Sequence, residues 1–277
     1  MGKIALGFVV FNPASSLLER MELALSADWE LFIYDNSPSD PTVRSFCAGR
    51  KNCHYFTSGK NVGLGYGMSV VSAQAYYNGH EALLFFDQDT NFTLTTLEFI
   101  KKFHEIHASM ADSYSSVVFN AKTRANEAES LEFVCQDVLL SINSGSLYFL
   151  ENVRKLGWFD ESFFVDCVDY EFCLRSRLAK LKTGACLNTP GYDHESEQDD
   201  STYHVFGRTR RLRKYSRSRV VGTTKASLRL CWRSAIACDG RYLGAFLRSL
   251  GGYLLWQSVV RILIAFPWLA RSQPVQP

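Results

Sequence analysis

The chain has 277 residues, of which 47% are hydrophobic and 21% are charged. This composition excludes a disordered protein, because so many apolar side chains can bury a full core. The net charge of +2 hides two opposite regions. The first 200 residues hold 27 acids and 16 bases, whereas residues 201–277 hold one acid and 14 bases. We therefore predict a main domain at 1–200 and a separate basic region at 201–277.

The first residues predict a strand rather than a secretory signal, because the apolar stretch from Ile4 is short and lacks a small-residue cleavage site. The eight cysteines contain no Cys-x-x-Cys pair. Without an export signal, we expect them to be reduced and buried as small hydrophobic residues, and we expect neither a zinc site nor a redox site.

Short apolar runs alternate with amphipathic stretches along the first part of the chain. We expect strands at 4–11, 30–34 and 82–86, and helices at 16–26 and 65–77. This order predicts an α/β fold with a doubly wound, largely parallel sheet. Further along, we expect a helix at 95–107 capped by a threonine, a strand at 116–120, an exposed loop at 120–131, two strands around a turn within 133–148, a short helix ending near 157 and a helix at 168–180.

Polar residues follow three of the predicted strands. Asn12 follows the first, Asp35 the second, and Asp87-Gln88-Asp89 the strand at 82–86. Doubly wound sheets bind ligands outside the carboxyl ends of their strands, where these groups converge. Asp87 and Asp89 predict a Mg²⁺ or Mn²⁺ site, because such cations take carboxylate oxygens and leave the other positions to water and substrate phosphates. A solvated turn is the structural alternative.

Three alternating glycines, Gly63, Gly65 and Gly67, stand before a helical pattern. Glycine lets the backbone approach a ligand, and a helix N-terminus favours an anion. The spacing matches neither the G-x-G-x-x-G dinucleotide motif nor a P-loop. A plain glycine-rich turn is the alternative.

Three carboxylates, Asp166, Asp169 and Glu171, lie within six positions of an otherwise apolar stretch. Burying unpaired acids is costly, so such residues are either paired or kept for function. Glu171 and Arg175 have the spacing of a structural ion pair. Asp169 is the better candidate for a general base, because it lies three residues from Asp166 at the start of a helix.

These segments, in this order, resemble the family 2 glycosyltransferases, most closely the bacterial rhamnosyltransferase-like branch that builds surface polysaccharides. The resemblance covers roughly residues 4–200. The segments that carry it are 11–13 (Phe-Asn-Pro), 34–37 (Tyr-Asp-Asn-Ser), 61–65 (Asn-Val-Gly-Leu-Gly), 86–89 (Phe-Asp-Gln-Asp), 144–146 (Ser-Gly-Ser), 156–166, 169–175 and His194.

The resemblance implies a GT-A fold and inverting transfer of a sugar from a nucleotide-diphosphate donor. The sugar would be rhamnose, galactose or another hexose, and the acceptor a growing cell-surface polysaccharide such as O-antigen, or a lipid-linked glycan. Asp169 would be the base, with Glu171 beside it or on the acceptor. Asp87, Asp89 and His194 would hold the metal. The donor would also meet Asn12, Asp35, Asn61, Gly63, Asp87 and Gly145.

The C-terminal region is basic and amphipathic. Seven of the twelve residues from Arg208 to Arg219 are Arg or Lys. The apolar segment at 243–270 is interrupted by Arg248, Gln257, Arg261 and Pro267. This pattern favours helices lying on an anionic membrane, and hence a peripheral protein at the cytoplasmic face of the inner membrane. Packing against the acidic main domain is the alternative. Nucleic acid is not an expected partner, because no recognisable nucleic-acid module is present.

Two other functions share part of these features. A sugar-1-phosphate nucleotidyltransferase would also carry carboxylates at a strand end, but it needs a Gly-rich, Arg-containing loop near the N-terminus, which residues 9–15 do not provide. A non-catalytic, membrane-associated assembly partner would be expected to have lost Asp87, Asp89 or Asp169.

Overall fold

The computed structural model describes residues 3–37, 39–120, 133–195, 201–205 and 208–266. The chain forms two compact units, 1–193 and 194–277. The boundary lies slightly before the position predicted from the change in charge. The predicted loop at 120–131 lies almost entirely outside the described residues.

The first unit is built on one large sheet flanked by helices. Its strands are β1 (Ile4–Val10), β2 (Glu30–Asp35), β3 (Cys53–Thr57), β4 (Ala82–Asp87), β5 (Thr90–Asn91), β6 (Tyr114–Val118), β7 (Cys135–Val138), β8 (Ser146–Phe149) and β9 (Lys182–Cys186), and β10 (Asp193–His194) lies at the boundary between the units. Its helices are α1 (Ser16–Ser26), α2 (Thr42–Cys47), α3 (Leu64–Tyr77), α4 (Leu94–Ile106), a 3-10 helix (Ala108–Asp112), α5 (Leu150–Lys155) and α6 (Val168–Leu178).

Within the described residues, the large sheet has the strand order β3-β2-β1-β4-β8-β6-β9-β7. The pairs β3-β2, β2-β1, β1-β4 and β6-β9 are parallel, and the pairs made by β8 and β7 are antiparallel. The predicted α/β class with a largely parallel sheet is confirmed. The two strands within 133–148 do not form a hairpin: β7 pairs with β9, and β8 lies between β4 and β6.

The centre of the sheet is buried on both faces. All five residues at 82–86 of β4 have no exposed surface. Such a continuous apolar run is typical of a parallel strand covered by helices on both sides. Helix α4 begins one residue before the predicted position. As predicted, a threonine caps it: the Thr93 side chain accepts a hydrogen bond from the Thr96 N–H at 3.2 Å. Five of the eight cysteines are buried, and all eight are free thiols.

The second unit contains an antiparallel strand pair, β11 (Ser201–Val205) with β12 (Arg208–Leu212), followed by helices α7 (Arg217–Ile236) and α8 (Gly240–Ala265), which pack against each other. The strand pair was not predicted. Two of the polar residues within the largely apolar sequence of α8 bind the segment that precedes α7. Gln257 donates to the Arg213 carbonyl at 2.9 Å, and Arg261 donates to the Tyr215 carbonyl at 2.8 Å. No helix in the described ranges is long and apolar enough to cross a membrane.

Candidate active site

The carboxyl ends of β1, β2 and β4 meet at one edge of the sheet. β1 lies between the other two strands and runs parallel to both. In the pairing register, Val10 lies beside Asp35 and Val9 lies beside Asp87. Asn12 follows β1 at the same edge. The structure thus brings together three of the predicted residues where ligands of open α/β sheets bind.

Asp35 is fully buried, and protein groups hold both of its carboxylate oxygens. Oδ1 accepts a hydrogen bond from the Ser37 N–H at 2.7 Å, and Oδ2 accepts one from the Tyr55 hydroxyl at 3.0 Å. Burial and then the charge of Asp35 raise the pKa of Tyr55 to about 12, which keeps that hydroxyl a donor. These contacts tie the end of β2 to β3. Contact between Asp35 and a nucleotide stays a prediction.

Two asparagines shape the loops beside Asp35. Asn12 has a left-handed backbone (φ 45°), and its N–H donates to the Ser37 hydroxyl at 2.8 Å. The side chain of buried Asn36 accepts from the Val62 N–H at 2.9 Å and donates to the Gly63 carbonyl at 3.2 Å. Asn36 therefore fixes the loop that contains Asn61, which is itself exposed and accepts from the Gly63 N–H at 3.0 Å.

The alternating glycines are required by contacts with protein. A Cβ on Gly63 (φ 93°) would lie 2.5 Å from the Phe164 carbonyl oxygen, and one on Gly65 would lie 2.7 Å from the Asp160 carbonyl oxygen. The first N–H of α3, on Leu64, donates to the same Phe164 carbonyl at 2.5 Å. Protein therefore occupies this N–H, which is not available to an anion at the helix start. A role for Gly63 in lining a donor pocket stays a prediction.

The segment at 143–146 lies against the end of β4. The Asp87 N–H donates to the Ser144 hydroxyl at 3.2 Å, and the Gly145 N–H donates to the Phe85 carbonyl at 2.7 Å. Gly145 has φ 73°, and a Cβ there would lie 2.2 Å from the Tyr192 ring. Glycine is therefore needed at this position for packing. Donor binding by Gly145 stays a prediction.

Asp169 lies in the first turn of α6 and is partly buried. Burial, and to a smaller extent the charges of Asp87 and Asp166, raise the pKa of its carboxyl to about 7. The Tyr170 N–H, which donates to this carboxyl at 2.8 Å, opposes the shift. A carboxyl with this pKa is balanced between its two protonation states near neutral pH. That balance suits a group that accepts a proton during catalysis.

Glu171 is placed quite differently, although it is only two residues away. It is 1% exposed, and both carboxylate oxygens lie 2.8 Å from Nε of Arg175. Arg175 also donates to the Leu156 carbonyl at 2.6 Å. This is the structural ion pair that the spacing predicted. Participation of Glu171 in catalysis stays a prediction.

No protein-family model matches the chain, and no curated protein matches it in sequence. Solved structures do match. Staphylococcus aureus TarS residues 1–349 superposes with a TM-score of 0.53 at 17% identity, covering 71% of this chain and 61% of TarS 1–349. The same protein in complex with UDP-GlcNAc gives a TM-score of 0.51 at 14% identity over 73% and 62%. GalNAc-T7 with UDP, GalNAc and Mn²⁺ gives 0.54 at 11% identity over 70% and 44%.

In each case the match spans less than two thirds of the compared chain, and the compared proteins are glycosyltransferases of GT-A fold. The chain has a GT-A fold. Identities this low establish the fold alone. Within a GT-A sheet, the edge that carries Asp35 and Asp87 is the candidate donor site.

The acidic part of this GT-A edge supplies carboxylate oxygens, the ligand type that Mg²⁺ and Mn²⁺ take. Asp87 and Asp166 both repel the charge of Asp169, and a cation would offset that repulsion. Asp87 and Asp89 would hold it, with a substrate diphosphate completing the shell. Within the described ranges, no group of three or more His, Cys, Asp and Glu side chains is arranged to hold a metal by itself. His194 is half-buried in the second unit, and its role as a ligand stays a prediction.

Two residues that the sequence did not single out position the turn after β4 in this GT-A domain. The Gln88 side chain accepts from the Phe11 N–H at 2.7 Å and donates to the Phe11 carbonyl at 3.2 Å. Arg20 of α1, which is 7% exposed, donates to the Gln88 carbonyl at 2.6 Å and to Asn91 Oδ1 at 2.8 Å. The sequence pattern could have indicated a buried role for Arg20, because it lies on the face of α1 that also carries the buried Met21.

Proposed function

We propose that this chain is an inverting glycosyltransferase that uses a divalent cation and a nucleotide-diphosphate sugar. One observation carries the proposal. Asp169, with a pKa raised to about 7, lies within electrostatic reach of Asp87 at the carboxyl edge of a GT-A sheet. The proposed base and the proposed metal ligand are thus close to each other, as a displacement at the anomeric carbon requires.

In the proposed reaction, Asp169 accepts the proton of the acceptor hydroxyl. The hydroxyl oxygen forms a bond to the anomeric carbon while the bond from that carbon to the diphosphate oxygen breaks. Attack from the face opposite the diphosphate inverts the configuration, and the nucleoside diphosphate leaves with the electron pair of the broken bond. A cation held by Asp87 and Asp89 would neutralise charge on the leaving diphosphate.

Support for the donor class comes from the structural neighbours, one bound to UDP-GlcNAc and another to UDP, GalNAc and Mn²⁺. The motif resemblance to the rhamnosyltransferase-like branch favours rhamnose, galactose or another hexose as the transferred sugar. The same resemblance favours a growing cell-surface polysaccharide, such as O-antigen, or a lipid-linked glycan as the acceptor. We infer a peripheral location at the cytoplasmic face of the inner membrane, where such acceptors are extended.

The test is calorimetric binding of UDP, dTDP and GDP, each with and without Mn²⁺, to the wild-type chain and to Asp87→Asn. We expect one nucleotide to bind more tightly with Mn²⁺, and we expect Asp87→Asn to lose that gain because it removes a carboxylate ligand. Asp112→Asn is the matched control, because Asp112 is an exposed residue of the 3-10 helix. Its binding should equal that of the wild type.

If a folded wild-type chain binds none of the three nucleotides, the proposal fails and a non-catalytic assembly protein is favoured. Release of pyrophosphate from a nucleoside triphosphate and a sugar 1-phosphate would instead identify a nucleotidyltransferase. Transfer from a nucleotide-sugar without Mn²⁺ or Mg²⁺, at the rate seen with either metal, would contradict the role of the cation.

A further inference from the structure

Helix α7 of the second unit exposes a row of large apolar side chains. Val221, Leu228, Trp232 and Ile236 are 52%, 60%, 67% and 65% exposed. Their spacings of seven, four and four residues place them along one face of a helix with 3.6 residues per turn. We call these four residues the α7 row.

Among the described residues of the second unit, the α7 row lies away from the buried face of α7. The buried residues of α7 are Ser227, Leu230 and Ser234, which lie on the opposite side of the helix from the row. Helix α8 packs against α7 and contributes its own buried residues, including Phe246 and Val260. An exposed apolar row that internal packing does not need is a mark of an interaction surface.

Basic side chains accompany the α7 row. Lys225 lies within the same face, between Val221 and Leu228, and Arg217 and Arg229 flank it; all three are exposed. The sequences of α7 and α8 contain no acid. The single acid of residues 201–277, Asp239, caps α8 by accepting from the Tyr242 N–H at 3.0 Å. The surface is therefore both apolar and positive.

We propose that the α7 row lies on the surface of an anionic lipid bilayer. The apolar side chains would enter the boundary between head groups and acyl chains, with Trp232 at the level that tryptophan favours. Lys225 and the flanking arginines would reach lipid phosphates, and long basic side chains can do so while their stems stay in apolar surroundings. The α7 row belongs to the second unit and not to the candidate active site. The proposal rests on the peripheral membrane location proposed above and names the surface responsible for it.

Charge favours lipid over a second copy of the chain. A two-fold dimer formed through the α7 row would bring the same basic side chains of two copies together. An anionic membrane matches both the positive charge and the apolar row. Acidic side chains elsewhere in the chain could pair with the arginines. Such pairing would not explain why the apolar side chains of the α7 row are exposed.

The experiment is flotation of the full chain with vesicles of phosphatidylcholine alone and with vesicles that also contain phosphatidylglycerol. The test variant is Leu228→Ser with Trp232→Ser. The matched control is Ile106→Ser with Leu178→Ser, which removes two exposed apolar side chains (57% and 53%) from the first unit. Because all four residues are exposed, the variants should fold, and circular dichroism checks this. Arg217→Gln with Lys225→Gln tests the charge separately.

We expect wild type and control to float with the anionic vesicles and to float poorly with phosphatidylcholine alone. Binding of the Leu228→Ser, Trp232→Ser variant should fall about tenfold or more, because two apolar anchors are lost. The charge variant should bind anionic vesicles less tightly and be less sensitive to salt. Tryptophan emission should shift to the blue on vesicle binding, and the part due to Trp232 should disappear in Trp232→Phe.

The proposal is overturned if the wild type does not float with anionic vesicles, or if the serine variant floats as well as the wild type. It is also overturned if the row instead mediates a dimer, seen as a wild-type dimer that does not bind vesicles and that the serine variant converts to a monomer. The assay contains neither nucleotide nor metal. Its failure can therefore be told apart from failure of the proposed function.

Discussion

The amino and carboxyl ends of the parallel strands in the first unit differ in how they place charge. At the amino end, Glu30 begins β2 and lies 2.6 Å from Nε2 of His54 and 3.2 Å from Nε2 of His80. At the carboxyl end, Asp87 and Asp169 repel each other across the candidate active site. At the amino end, a carboxylate therefore contacts basic side chains. At the carboxyl end, carboxylates lie close to other carboxylates.

This difference indicates that the paired carboxylates stabilise the fold, whereas the mutually repelling carboxylates serve the proposed catalysis or cation binding. Gathered carboxylates cost folding free energy, because each disfavours the charged form of its neighbour. Such a cost is retained where a cation or a proton transfer requires the arrangement. Within α6 the same contrast recurs two residues apart, between Asp169 and the Glu171–Arg175 pair. The predictions below test whether the two kinds of carboxylate respond in opposite ways.

The largest effect is expected for Asp169→Asn on catalysis. The amide cannot accept the acceptor's proton, so transfer should fall roughly 10³-fold, measured as nucleoside diphosphate released from the donor that binds. Nucleotide binding should stay close to that of the wild type. Transfer at the wild-type rate would show that Asp169 is not the base, and loss of folding would show that it is structural.

The same variant should be more stable than the wild type at high pH. The unfolded carboxyl has a pKa of about 4 and the folded one about 7, so the folded state is penalised as pH rises through this window. Above pH 7 the penalty is at most roughly 4 kcal/mol, an upper bound because Asp169 keeps some solvent exposure. Urea unfolding at pH 4 and pH 8, without metal, measures it. Equal stabilities of variant and wild type at pH 8 would contradict this prediction.

Glu171→Gln should act in the opposite direction. It leaves the Arg175 guanidinium without its anionic partner in a largely buried position, and should lower the free energy of unfolding by about 3 kcal/mol at neutral pH. The measurement is urea unfolding beside Asp169→Asn under the same conditions. A stable Glu171→Gln that has lost transfer would instead assign Glu171 to catalysis.

The smallest effect concerns the amino end. Burial lowers the pKa of His80, and the charge of Glu30 opposes this only in part. The unfolded chain therefore takes up a proton near pH 6.5 that the folded chain does not, and stability should fall as pH drops below 6.5. His80→Gln should flatten this loss between pH 7 and pH 5, whereas the control His107→Gln should not. An unchanged slope in His80→Gln would assign the loss to other groups.

Elements with a strong local pattern could be predicted from the sequence. The helix at 16–26 has the predicted bounds, and the strands at 30–35 and 82–87 extend one residue beyond them. Strand β3 was missed because it lies at the sheet edge and is only partly buried, so its sequence lacks a continuous apolar run. The strand pair β11-β12 was missed because its arginines were interpreted as part of a basic, amphipathic helical region lying on a membrane.

In the candidate site too, some features follow from local sequence and others only from the tertiary structure. The sequence alone determined that carboxylates follow β4 and begin α6, because strand and helix ends are set by local composition. It also determined the contrast between an acidic first part and a basic second part. The predicted pairing of Glu171 with Arg175 needed only the spacing of one helical turn.

Only the tertiary structure decided which distant residues meet. The approach of Gly63 and Gly65 to the 160–164 segment, the reach of Arg20 to the turn after β4 and the separation of β7 from β8 all depend on contacts between residues far apart in the chain. The pKa of Asp169 has the same origin, because burial and the charge of Asp87 raise it, and both exist only when the strands and α6 are assembled. Local patterns specify elements, whereas desolvation and charge proximity arise from packing.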